Sequence, residues 1–167
     1  MSVDFEPLAT ALAEELGLTR RLLDLAKDAR AAAVAADPLL LSQIVAEQEE
    51  ISERLGSAES RRADAARELA EALGLGGEKS VKLEAFAAGA PAEMAARLRS
   101  LGARLRRSVL ELREATSRNR ALMDISLSQV EDLVETLASS RPGANAAYGA
   151  GGTRQPANGP MLMDRKV

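Results

Sequence analysis

Residues 91–139 read PAEMAARLRSLGARLRRSVLELREATSRNRALMDISLSQVEDLVETLAS, and the spacing of their apolar members decides the fold. Met94, Leu98, Leu101, Leu105, Ser108, Leu112, Ala115, Asn119, Leu122, Ser126, Gln129 and Leu133 recur at steps of three and four, which places them on one face of an α-helix. Pro91 can open this helix because the first turn has no use for its missing N–H, and Arg141-Pro142-Gly143 stops it. At ~1.5 Å per residue such a helix is about 73 Å long, and it needs other long helices to cover its stripe.

Two are available upstream. From Asp4, read as an N-cap, the residues Phe5, Leu8, Leu12, Leu16, Thr19, Leu23 and Ala26 form a first amphipathic stripe, expected to persist over about 4–35. Asp37-Pro38, a capping side chain followed by proline at the first helical position, starts a second helix over 38–73. Its stripe is Ile44, Gln48, Ile51, Leu55, Ala58, Arg62, Ala65, Leu69 and Ala72, alternating steps of four and three as in a coiled-coil seam. Gln48 and Arg62 are polar residues on that seam, read as register-setting or snorkelling side chains. Gly74, Gly76 and Gly77 end the helix, and Ser80 is placed to cap a short connector over 81–87 that offers Leu83 and Phe86 to the core.

The expected fold is therefore all-α: a long antiparallel helical hairpin completed into a three-helix, coiled-coil-like bundle over 1–139, with a short connector helix. Hydrophobic residues make up 46% of the chain but aromatics only 2%, so alanine and leucine must supply narrow helix seams rather than a thick core. A 38–73 helix is too short to cover a 91–139 helix end to end, which leaves the final three turns of the latter unpartnered past about residue 126. Ile125, Leu127, Val130, Leu133, Val134 and Leu137 are expected to be partly exposed there. A second copy of the chain closing over them, as a homodimer, is the competing expectation.

Composition also removes chemistry. With no cysteine and no histidine, disulfides, thiolate and imidazole metal sites and the common nucleophile–base pairs cannot be built. Glu50 and Glu53 share a helical face, but the di-metal bundle class they evoke also uses histidine. Gly74-Leu75-Gly76-Gly77 lacks both the preceding strand and the closing Lys-Ser/Thr of a phosphate loop. No catalytic residue, metal or cofactor is expected, and the chain reads as a non-enzyme.

Charge is uneven: residues 1–60 carry 5 basic and 12 acidic side chains, whereas 91–120 carry 8 arginines against 3 glutamates. Opposed charges of this kind fit helices lying against one another. Arg97, Arg99, Arg104, Arg106, Arg107, Arg113, Arg118 and Arg120 have no interleaved aromatics, so an intramolecular or solvated face is expected and not a nucleic-acid stripe. No apolar run reaches the roughly 18 residues of a membrane span, and no leader-like segment opens the chain, so a cytoplasmic location is expected.

Residues 140–167 hold five of the twelve glycines and three of the six prolines, a composition that cannot support a packed core and is expected to be disordered. Within it stands the only tyrosine, in Tyr148-Gly149-Ala150-Gly151-Gly152, and the tail closes on Met161-Leu162-Met163-Asp164-Arg165.

Taken in order, Glu49 to Arg61 with Leu55 and Glu59, Leu73-Gly74-Leu75 leading to Ser80-Val81-Lys82-Leu83, Asn119-Arg120-Ala121-Leu122-Met123, and the Tyr148-Gly149 and Gly152 tail ending in Leu162-Met163-Asp164 resemble the flagellar type III export chaperones of the FlgN kind. Thr116 departs from that pattern, which often has a second asparagine there. The resemblance implies a cytoplasmic chaperone that binds the C-terminal helices of hook-filament junction proteins, prevents their premature assembly and delivers them to the export gate. By the same resemblance Asn119, Leu122, Ile125, Val130, Leu133, Val134 and Leu137 would hold the client, while Tyr148, Gly149 and Gly152 would dock on the cytoplasmic domain of the gate protein. A homodimeric coiled-coil scaffold or adaptor without a secretion role is the alternative.

Overall fold

A computed structural model describes residues 3–75 and 81–139. They form four helices, α1 (Glu6–Val34), α2 (Pro38–Ala72), α3 (Leu83–Gly89) and α4 (Ala92–Ser139), and no strand occurs among the described residues. The chain divides into two compact units, 1–121 and 122–167.

The helix ends follow from local chemistry. Asp4 does cap α1, but from one residue further out than expected: its Oδ1 accepts from the Glu6 N–H at 2.9 Å, while Phe5 holds the cap position without a side-chain bond. Asp37 caps α2 as expected, its Oδ1 accepting from the Leu40 N–H at 3.0 Å with Pro38 in the first turn. The α1 exit is a Schellman turn, in which Ala36 and Asp37 donate to the carbonyls of Ala33 and Ala32 and Ala36 sits at φ +51°. The α2 exit repeats the motif, Gly74 and Leu75 donating to Glu71 and Ala70, with Gly74 at φ +71°. Glycine suits that left-handed position and alanine does not, so the first turn is the strained one. The connector helix begins two residues later than expected, with Lys82 at its cap position, and includes Gly89; Ser80, the expected cap, lies outside the described residues.

In the first unit α1 is the central element. Its expected stripe is buried from Phe5 through Leu16 and Leu23 to Ala26, but a second stripe is buried beside it: Ala11, Glu15, Leu18, Leu22, Leu25, Ala29 and Ala32. The second stripe meets α2 at Ile44, Ile51 and Ala58, and among the described residues this pair of helices comes into extended close backbone approach, as alanines on both sides permit. Ion pairs fix the direction: Arg61 bonds Glu14 and Arg62 bonds Glu15, while Arg21 bonds Glu47, so α2 runs antiparallel to α1. Arg97 near the start of α4 bonds Glu6, and Asn119 bonds Ala26, so α4 runs parallel to α1.

The core has two centres along this length. One gathers Phe5, Leu8, Leu12, Leu16, Leu69, Phe86, Leu98 and Leu101. The other is the α1–α2 seam from Leu18 to Ala32. Gly102 of α4 admits the connector closely, because a Cβ there would lie 2.3 Å from Leu83 Cδ2. The α2 stripe is as expected except that Ala72 is exposed and Ala70 is buried in its place. Arg62, expected to snorkel or set register, does so through an ion pair: its Nε donates to Glu15 Oε2 at 2.6 Å, and the Glu15 side chain is 9% exposed.

Candidate binding surface

The second unit contributes the described residues 122–139 of α4, and every one from Met123 onward is exposed. Six of them are large and apolar: Ile125, Leu127, Val130, Leu133, Val134 and Leu137 stand 57–61% exposed. Six such side chains within four turns are far more apolar surface than a solvated helix needs. Leu122, also expected at the site, is half-buried.

The apolar pattern here differs from the one read off the sequence. The seam that buries α4 in the first unit runs through Leu98, Leu101, Ser108, Leu112 and Ala115, and its expected continuation reaches Leu133 by way of Ser126 and Gln129. A cleaner stripe starts one residue out of phase, at Met123, Leu127, Val130, Val134 and Leu137, in steps of four and three. Met123 lies outside the residues expected to be exposed, and Leu127 lies among them but outside the expected client contacts; both belong to this stripe, with Leu133 beside it and Ile125 on the opposite face of the helix. The spacing alone carried that signal, but the longer register running down from Met94 masked it.

Asn119 sits in the first unit, half-buried, and its Nδ2 donates to the Ala26 carbonyl at 2.6 Å. That carbonyl belongs to an interior turn of α1, so the amide adds a second donor to an oxygen already used by the helix ladder. Asn119 is thus a fold contact first. It lines a cleft with Leu23, Ala26, Lys27, Glu111 and Ala115. Tyr148, Gly149 and Gly152, and the whole expected tail over 140–167, lie outside the described residues.

Among the described residues three of the eight α4 arginines are ion-paired, one of them with the acidic segment over 1–60. Arg97 reaches Glu6, Arg99 reaches Glu84 of the connector, and Arg118 pairs with Glu114 on its own helix. Arg104, Arg106, Arg107, Arg113 and Arg120 have no acidic partner among the described residues and form the solvated remainder. The hydrogen bond from Arg99 holds the Glu84 carboxyl below its usual range and raises the Arg99 guanidinium in return, and the hydrogen bond to Glu47 raises that of Arg21. Every buried side-chain polar atom among the described residues has a partner, and no group of three or more His, Cys, Asp or Glu there could hold a metal ion. No helix among the described residues is long and apolar enough to cross a membrane. What this surface offers chemically is an exposed apolar strip.

A protein-family model described as FlgN protein matches residues 1–156 of the chain. No curated protein and no solved structure gives a significant match.

Proposed function

The chain belongs to the FlgN family of flagellar export chaperones, and we propose that within this role its α4 strip holds the C-terminal helices of hook-filament junction proteins. The observation that supports this is the run of exposed apolar side chains from Met123 to Leu137. Terminal helices of such subunits pair only in the assembled polymer, so a free subunit exposes apolar faces that would aggregate or polymerise early. A helix bearing a three-four apolar stripe can stand in for the missing neighbour. Covering on the order of 1,000 Å² would release roughly 25 kcal/mol gross at about 25 cal/mol/Å², most of which is offset by ordering and association. The remaining affinity, on the order of micromolar to nanomolar, leaves the client releasable at a secretion gate.

In this reading the chaperone works in the cytoplasm. Leu122, Val130, Leu133, Val134 and Leu137 make the apolar contact, Ile125 stands on the opposite face of the helix, and Asn119 serves the fold through its bond to the Ala26 carbonyl. Tyr148, flanked by Gly149 and followed by Gly152, is the contact for the cytoplasmic domain of the export gate. The test is co-purification with hook-filament junction proteins. Val130→Asp with Leu133→Asp abolishes complex formation while far-UV circular dichroism stays unchanged, and Tyr148→Ala spares the complex but weakens gate docking. A stable symmetric dimer with these residues covered and no affinity for the subunits would instead mean a coiled-coil scaffold. Full docking and secretion by a chain ending at Arg141 would remove Tyr148 from the mechanism.

A further inference from the structure

The strip carries charge on one flank only. With Met123, Leu127, Val130, Val134 and Leu137 as the seam, Asp124 and Glu131 each follow a seam residue and stand one heptad apart on one side. The equivalent places on the other side are Ser126 and Leu133. In paired helices these flanking positions meet the flank of the partner and select it by charge. Between Arg120 and Arg141 the chain has four acids, Asp124, Glu131, Asp132 and Glu135, and no lysine or arginine. None of the four has an ion-pair partner among the described residues.

The rest of the chain shows how its helix contacts are finished. Glu6, Glu14, Glu15, Glu47 and Glu84 each meet an arginine of another helix. Asp124 and Glu131 flank their seam as Glu6, Glu14 and Glu47 flank theirs, with no cation against them among the described residues. We propose that the occupant of this strip is a partner helix with a three-four apolar stripe and a lysine or arginine pair, seven residues apart, on the flank that meets Asp124 and Glu131. This deepens, and rests on, the reading of the strip as the client site. A second copy does not fit: antiparallel pairing sets Asp124 and Glu131 against themselves, and parallel pairing sets them against uncharged Asn119 and Ser126.

Two synthetic helical peptides with the same leucine stripe, one flanked by lysines and the other by glutamates at that spacing, discriminate these possibilities when titrated against the full chain. The lysine peptide is expected to bind about tenfold more tightly at low salt, two attractive pairs replacing two repulsive ones, and the gap narrows in 0.5 M salt. Asp124→Asn with Glu131→Gln removes most of the preference while the glutamate peptide binds no worse. Equal binding of both peptides, or a preference that survives that double substitution, overturns the charge rule. Val130→Asp with Leu133→Asp separates the two levels. Loss of both peptides leaves the strip as the site, so that a failed charge rule fails alone, whereas undiminished binding shows that the strip is not the site and sinks both. If Arg165→Gln with Lys166→Gln raises the affinity of the lysine peptide, the chain's own end is the occupant and the proposal is overturned.

Discussion

Arg61 and Arg62 are neighbours on α2 that bond Glu14 and Glu15 of α1 at the same 2.6 Å, and they differ sharply in burial. The Arg61–Glu14 side chains are 53% and 44% exposed, so removing the cation with Arg61→Ala should cost no more than about 1 kcal/mol. Glu15 is 9% exposed, and Arg62→Ala strands its carboxylate in the α1–α2 seam. Breaking a fully buried pair costs ~3–5 kcal/mol; because Arg62 itself is 37% exposed, water reaches part of the site and the cost falls to about 1.5–3 kcal/mol. At roughly 2–4 °C per kcal/mol for a chain of this size, Arg62→Ala should lower Tm by about 3–12 °C and Arg61→Ala by a few degrees at most. Replacing both members, Glu15→Leu with Arg62→Leu, should recover most of the loss, since an apolar pair in a seam avoids the desolvation altogether. Urea denaturation followed by circular dichroism measures all four proteins, and an unchanged m-value confirms a common unfolded state. Equal costs at positions 61 and 62, or a double leucine variant no better than Arg62→Ala, would refute burial as the deciding factor.

The two Schellman turns make opposite predictions. Ala36→Gly relieves a left-handed alanine and should raise stability by about 1 kcal/mol, whereas Gly74→Ala, where an added Cβ meets nothing within 4 Å, should lower it by a similar amount through the backbone alone; the same urea titration reads both. Glu84 supplies a pH signature. Its carboxyl is depressed in the folded chain by the Arg99 hydrogen bond, so its stabilising contribution is complete above the ordinary glutamate value of about 4.3 and is lost as pH falls through the lower folded value. Glu84→Gln should therefore be less stable than the natural chain at pH 7, with the difference closing in the acid range. A difference that is the same at both pH values would exclude the ion pair as its source.

The sequence made the helices legible because their periodicity is long and their start signals are chemical. Asp37-Pro38 positioned α2 without error, and the seam from Met94 to Leu122 matched the buried and half-buried residues of α4. Missed was the centrality of α1. Leu18, Leu22, Leu25, Ala29 and Ala32 also recur at fours and threes, but one stripe per helix is the simplest reading, and a helix packed on two sides shows its second stripe only when the first is set aside. The same habit carried the α4 seam through Ser126 and Gln129 and away from Met123 and Leu127. Arg62 and Asn119 were recognised as polar residues on apolar stripes, yet their partners, Glu15 and the Ala26 carbonyl, lie 47 and 93 residues away, and pairing at that range is set by tertiary packing that no local pattern encodes. The docking role of Tyr148, Gly149 and Gly152 rests on family resemblance, since those residues lie outside the described part of the chain.

The central claim is that Met123 to Leu137 is a strip for foreign helices. Hydrogen–deuterium exchange on the full chain, with and without the C-terminal helical segment of a hook-filament junction protein, reads it residue by residue. The expected result is rapid exchange over 122–139 in the free chain, strong protection there on binding, and an unchanged α1–α2 seam. Protection confined to other segments, or a 122–139 region already protected in the free chain at every concentration, would contradict it.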